Sequence, residues 1–89
     1  MKRRQAVELF ADAMERELQA NEHKGGWQGC DKDYLIMRLR EETRELIVVL
    51  RDPEGTLDTI TAEAADVANF AMMIADNFGD LQAVKEALG

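Results

Sequence analysis

The chain has 89 residues, so we expect a single domain over residues 1–89. Proteins that bind the phosphate backbone of nucleic acids carry a basic surface. This chain has a formal net charge of −7, so we expect no nucleic-acid partner. A monomer of this size buries only about 60–65% of the surface of its unfolded chain, yet 46% of the residues are hydrophobic. This excess of apolar surface predicts a homo-oligomer, either a homodimer or a homotetramer.

Two features bear on the cellular location. The only cysteine, Cys30, excludes an intramolecular disulfide and fits a reducing cytosol. The longest apolar run, residues 70–75, has six residues, against the roughly 18 that a membrane span needs. We therefore expect a cytoplasmic protein without a membrane partner.

The first half of the chain is predicted to form two amphipathic helices. The first covers about residues 3–22, and its apolar stripe consists of Val7, Phe10, Met14 and Leu18. The run Lys24-Gly25-Gly26 should end it, since glycine readily takes the left-handed conformation that closes a helix. A second helix over about residues 32–51 has Asp31 as a candidate N-cap and stops before Pro53, which cannot continue a helix.

The second half is predicted to form a long helix and a short one. The long helix covers about residues 58–77, and its expected core stripe consists of Ile60, Ala64, Val67, Ala71 and Ile74. The short helix, over about residues 80–88, follows Gly79. The sequence thus predicts an all-α fold, a small helical bundle of about four helices that is completed by homo-oligomerisation.

Two pairs of carboxylates stand at matched helical spacing. Glu42 and Glu45 form one pair, and Glu63 and Asp66 form the other, so each pair lies on one helix face. Glu42 also interrupts an apolar stripe, a position that costs several kcal/mol unless the acid is paired or binds a metal. Two such pairs facing each other would form an all-oxygen site for Mg²⁺ or Mn²⁺.

A solvated, ion-paired helix face is the alternative explanation for these acids. Arg38, Arg40 and Arg44 lie close enough in sequence to pair with the first acids. The second pair has no such partners, because no basic residue occurs between Arg51 and Lys85. Acids without a basic neighbour on their own helix need a cation from elsewhere, which favours the metal site.

The acids and their spacing also resemble a known family. The motif consists of Glu41-Glu42-x-x-Glu45 and, after residues 46–62, Glu63-x-x-Asp66. It is similar to the EExxE…ExxD signature of the MazG-like all-α nucleoside triphosphate pyrophosphohydrolases, a superfamily that includes dimeric dUTPases and dCTP pyrophosphatases. The resemblance is dense over about residues 26–79. It implies Mg²⁺-dependent hydrolysis of a (deoxy)nucleoside triphosphate to the monophosphate and pyrophosphate.

The resemblance further implies roles for individual residues. The Mg²⁺ ligands, with Mn²⁺ as the alternative ion, would be Glu42, Glu45, Glu63 and Asp66. Glu41 and Glu45 are the candidate catalytic bases. The substrate-binding candidates are Lys24 for phosphate, Trp27 for the base, and Asn69 for nucleotide or phosphate.

Each substrate-binding candidate also has a purely structural explanation. Lys24 could cap the first helix by its charge, Trp27 could plug the space between loop and helices, and Asn69 could be a surface amide. For the whole chain, the alternative function is a non-catalytic acidic helical binding or adaptor protein. Such a protein has no reason to carry two acid pairs at matched spacing. A di-iron carboxylate bundle needs two Glu-x-x-His motifs, and the single His23 excludes the usual version.

Overall fold

Four α-helices make up most of the computed structural model, which describes residues 2–88 without the side chain of His23. The helices are α1 (Gln5–Ala20), α2 (Lys32–Arg51), α3 (Leu57–Phe78) and α4 (Leu81–Leu88). No strand occurs within residues 2–88, so the all-α prediction is confirmed. The two ends of the predicted 1–89 domain, Met1 and Gly89, lie outside the described residues. None of the described helices combines the length and the apolar composition that crossing a bilayer requires.

Side-chain caps fix where α2 and α3 begin. Asp31 accepts a 2.8 Å hydrogen bond from the backbone N–H of Tyr34, as expected of an N-cap. The hydroxyl of Thr56 accepts one of 3.1 Å from the backbone N–H of Thr59 and caps α3 in the same way. Both bonds satisfy N–H groups that have no partner inside the helix.

The end of α1 differs from the prediction. The helix stops at Ala20 rather than near residue 22, because the Asn21 side chain donates a 2.8 Å bond to the carbonyl of Glu17 in the last turn. A single 3₁₀ turn, Glu22–Lys24, follows. Gly25 then turns the chain with φ at +88°, a conformation that side-chain-bearing residues rarely adopt.

Helix α3 is the centre of the packing, since it contacts both α1 and α2. Each of these three helices supplies one buried apolar residue, namely Ala13, Leu35 and Ala65. On α3 the buried positions are Ala65 and Asn69, whereas Ala71 of the predicted core stripe is exposed. The predicted core stripe therefore lies beside the most deeply buried face of α3 and not on it.

Much large apolar surface remains uncovered. The outer side of α2 exposes two groups of aliphatic side chains, and α4 exposes its own apolar face. The residues concerned are Ile36, Met37, Ile47, Val48, Leu50, Leu81, Val84 and Leu88. Within residues 2–88, α4 makes no contact with another helix comparable to those of α3.

Candidate metal centre

A cavity of about 450 Å³ opens beside the three packed helices. This volume lies in the range typical of small-molecule sites. Its apolar wall includes Leu18 from α1, Leu35 from α2, and Phe70 and Met73 from α3. Its polar wall carries both charges: the acids Glu17, Glu22, Glu42, Glu45 and Asp66, and the cations Lys24 and Arg38.

Three of the four predicted metal ligands come together where α2 packs on α3. One carboxylate oxygen from each of Glu42, Glu45 and Glu63 lies within 4.8 Å of the others, and we call these three residues the glutamate cluster. Asp66 does not belong to this set, but it lines the cavity together with Glu42 and Glu45. The matched spacing on two facing helices is what places acids from both helices in one cluster.

Two oxygens of the glutamate cluster are buried without a hydrogen-bond partner. They are Oε2 of Glu42 and Oε2 of Glu63. Glu42 as a whole is only 6% exposed. An unpaired buried carboxylate oxygen is costly, so each needs a proton or a cation. A set of carboxylate oxygens alone suits a hard divalent ion such as Mg²⁺ or Mn²⁺.

The acids of this region hold their protons more tightly than usual. The pKa of Glu42 is raised to about 7, first by burial, then by the neighbouring carboxylate of Glu45 and by the charge of Asp66. The charge of Arg38 opposes this rise. Burial also raises the pKa of Glu63, helped by the charges of Glu45 and Asp66. Neighbouring acids thus raise one another's pKa, because a partly buried site cannot hold several negative charges without a cation to balance them.

A fifth acid, Glu17 of α1, was not predicted from the sequence. It is half-buried and lines the cavity. The pKa of Asp66 is raised by burial first, then by the charges of Glu17 and Glu45, while Arg38 and Lys24 oppose the rise. Glu17 directly precedes Leu18 of the α1 apolar stripe, and an acid bordering that stripe was the available signal.

Arg38 links the glutamate cluster to the outer side of α2. Its Nη2 donates to Oε1 of Glu42 at 3.2 Å, and its Nη1 donates to Oε2 of Glu41 at 2.7 Å. The guanidinium also lies over the ring of Phe70, 5.1 Å from its centroid. Glu41 itself is exposed and lines a separate hollow on the outer side of α2, together with Arg40 and others.

The segment between α1 and α2 contributes Lys24 and Trp27 to the cavity wall. Trp27 is half-buried, and its indole Nε1 donates a 2.9 Å bond to Oδ2 of Asp76. The side-chain amide of Asn77 donates a 2.8 Å bond to the carbonyl of Trp27. These two partners lie about fifty residues along the chain from Trp27, and no local pattern in the sequence indicated them.

Asn69 is buried and not a surface amide, being only 3% exposed. Its Nδ2 donates a 3.0 Å bond to the carbonyl of Met14, which ties α3 to α1. Its Oδ1 is buried without a partner, and the residue lines the cavity. One side of this amide therefore supports the fold, and contact with a substrate stays a prediction.

Comparison with known proteins adds no identification. No family model, no curated protein and no solved structure matches the chain. The resemblance to the MazG-like pyrophosphohydrolases therefore rests on the sequence motif alone.

Proposed function

We propose that this protein hydrolyses a (deoxy)nucleoside triphosphate to the monophosphate and pyrophosphate in a Mg²⁺-dependent reaction. One observation carries the proposal: Glu42 and Glu63 each bury an unpartnered carboxylate oxygen in one cluster beside a cavity. A cation would balance these charges, and a triphosphate would bring its own charges to the same place. The motif resemblance supplies the reaction class.

The glutamate cluster would hold the cation, with Asp66 beside it. Mg²⁺, when bound, neutralises charge on phosphate oxygens and lowers the pKa of a coordinated water. Mn²⁺ prefers the same oxygen donors. The protein's own part is to hold three carboxylates from two helices in one place before the cation arrives, so that little rearrangement is needed on binding.

Of the two candidate bases, Glu45 has the better position. Both residues are exposed, but Glu45 lines the cavity in which we place the substrate. Glu41 is exposed on the outer side of α2, and its Oε2 is already bonded to Arg38. We therefore assign proton acceptance from the attacking water to Glu45. No covalent intermediate is required, because water itself can attack the α-phosphorus.

The remaining wall of the cavity suits the rest of a nucleotide. The ring of Trp27 offers a stacking surface for a base, and Leu18, Phe70 and Met73 extend the apolar part. Lys24 offers a charge for the triphosphate and Asn69 offers its unpartnered Oδ1 as an acceptor. We expect the nucleotide to lie with its phosphates towards the glutamate cluster and its base towards Trp27.

We also infer that the active protein is a homodimer or a homotetramer in the cytoplasm. The uncovered aliphatic residues of α2 and α4 support self-association, since a partner subunit could remove this apolar surface from water. The single Cys30 fits a reducing compartment.

A panel of nucleotides tests the proposed reaction. Purified protein is incubated with each common NTP and dNTP and Mg²⁺, and products are separated by ion-exchange chromatography. Monophosphate with pyrophosphate is expected, from the wild type and from Glu15→Gln, an exposed acid on α1 that serves as control. Glu42→Gln should be inactive while its far-UV circular dichroism stays helical.

Three outcomes would contradict the proposal. Release of the nucleoside diphosphate together with orthophosphate would place the attack at the γ-phosphorus instead of the α-phosphorus. Full activity of Glu42→Gln would mean that the reaction does not depend on the glutamate cluster. Absence of hydrolysis with every nucleotide would leave the non-catalytic acidic binding protein as the explanation.

A further inference from the structure

We propose that Arg38 exchanges partners during the reaction. It stays bonded to Glu42 while the glutamate cluster holds no cation, and it binds a phosphate oxygen of the substrate once a cation occupies the cluster. This inference rests on the proposed function and assigns its phosphate-binding arginine.

The position of Arg38 suits both partners. It lines the cavity, with its side chain 32% exposed. A guanidinium has five N–H donors, and the bonds to Glu41 and Glu42 use two of them. The other three make no hydrogen bond to the described residues. The flat face of Phe70, 5.1 Å away, gives the guanidinium a surface along which it can shift without losing contact.

Charge supplies the reason for the exchange. Oε1 of Glu42 accepts from Arg38, whereas Oε2 of the same carboxylate has no partner. A divalent cation held by the glutamate cluster would share the Glu42 carboxylate with the guanidinium, and two neighbouring positive charges repel each other in a partly buried site. A phosphate group between them is attracted to both and removes the repulsion.

Arg38 thus competes with the cation when no phosphate is present and cooperates with it when phosphate is bound. The two arginines nearby on α2 have other positions: Arg40 and Arg44 are exposed and line the outer hollow. Arg40 is therefore a matched control, with the same side chain on the same helix and no place in the cavity wall.

Calorimetry on the full chain separates the two roles. Mn²⁺ is titrated into metal-free protein, and imidodiphosphate, a pyrophosphate analogue that resists hydrolysis, is titrated into Mn²⁺-loaded protein. In Arg38→Gln the Mn²⁺ affinity should rise a few-fold because a competing cation is gone. The imidodiphosphate affinity should fall at least about tenfold because charge-assisted hydrogen bonds are lost.

Two further variants complete the test. Arg38→Lys keeps the charge but not the planar fork, so both of its affinities should lie between those of the wild type and Arg38→Gln. Arg40→Gln should change neither affinity by more than about twofold, since an exposed charge contributes little. Circular dichroism confirms that each variant is folded.

The outcomes distinguish this inference from the function on which it rests. Unchanged imidodiphosphate affinity in Arg38→Gln, or a parallel fall in both affinities, refutes the exchange and leaves the hydrolase proposal standing. A parallel fall would mean that Arg38 only supports the fold. If the wild type binds no Mn²⁺ at all, the glutamate cluster is not a metal site, and both proposals fail.

Discussion

Trp27 is bonded through its indole N–H to the carboxylate of Asp76, 2.9 Å away near the end of α3. A second bond, from the side chain of Asn77 to the Trp27 carbonyl, acts on the same residue. The segment that closes the cavity on one side is thus attached to the longest helix of the fold. Loss of this attachment should affect the cavity wall before it affects the helices.

Asp76→Ala tests that attachment. It removes the acceptor of the indole N–H, so Trp27 should move more freely and its fluorescence anisotropy should fall. The stability loss should be about 0.5–1.5 kcal/mol, because the bond is exposed to water. Trp27 is the only tryptophan, so the signal has one source. Asp76→Asn keeps an acceptor and is the control; equal anisotropy in all three proteins would contradict the attachment.

The raised pKa of Glu42 predicts that the metal-free protein loses stability as pH rises. Between its ordinary pKa of 4.5 and the folded value of about 7, the folded state binds more protons than the unfolded state. The contribution of Glu42 to the free energy of unfolding is therefore greatest below about pH 4.5, and it is lost as pH increases through 7. The full effect is on the order of 3 kcal/mol.

Urea unfolding in EDTA at pH 5 and pH 8 measures this effect. Glu42→Gln cannot ionise, so it should reduce the decline with pH and be more stable than the wild type at pH 8. The exposed control Glu15→Gln should follow the wild type. A wild type that is as stable at pH 8 as at pH 5 would contradict a protonated Glu42.

Cation binding should stabilise the protein, because the ion binds the folded state in preference to the unfolded state. A ligand at a hundredfold excess over its dissociation constant adds about 2.7 kcal/mol, which raises the Tm of a domain of this size by several degrees. Mg²⁺ or Mn²⁺ should therefore raise the Tm of the wild type. The increase should be smaller at pH 5, because protons occupy the same oxygens.

Glu63→Gln tests the location of that cation. It removes one member of the glutamate cluster from α3, and the Tm increase on adding Mg²⁺ should largely disappear. Differential scanning fluorimetry with and without the ion gives the result. An undiminished increase in Glu63→Gln, with Glu15→Gln as the control, would place the ion elsewhere on the protein.

Asn69 should matter for stability as well as for any substrate. Asn69→Ala deletes the bond to the Met14 carbonyl and should lower the free energy of unfolding by about 1–2 kcal/mol. Asn69→Asp has the same size but sets an oxygen in place of the donor, so it should cost more at neutral pH. Urea denaturation compares the two. Wild-type stability in Asn69→Asp would mean that the bond to α1 contributes nothing.

Light scattering tests the predicted self-association. A homodimer or homotetramer has two or four times the chain mass of 10.0 kDa, and at micromolar concentration one of these masses is expected. Val48 is 61% exposed on the outer side of α2, and a charged residue introduced there should weaken the oligomer and lower the measured mass. A mass of 10.0 kDa with activity retained would refute the oligomer, and the single chain would then form its site alone.

The sequence predicted the helices well because their signals are local. Apolar spacing, the Asp31 cap and the stop at Pro53 all lie within a few residues of the elements they define. The buried face of α3 was harder, since that helix carries small and apolar residues on several sides. Burial there depends on where α1 and α2 lie, and the pattern within α3 cannot reveal that.

The candidate site was predictable to the same extent. Matched spacing anticipated that acids from two helices would meet, and Glu42, Glu45 and Glu63 do so. The partners of Trp27 and the place of Glu17 depend on contacts between distant segments. Whether a given acid reaches the cluster or only borders it, as Asp66 does, depends on the angle between α2 and α3.

The buried apolar core of residues 2–88 consists of one leucine and two alanines. So small an apolar interior leaves little reserve against unfolding, and the charge burial at Glu42 reduces it further. Whatever occupies the cavity or covers the outer helices then becomes part of what keeps the chain folded. In a growing cell, empty copies would be degraded faster than occupied ones, so the half-life of the protein in a pulse-chase experiment should lengthen as the supply of its ligands rises.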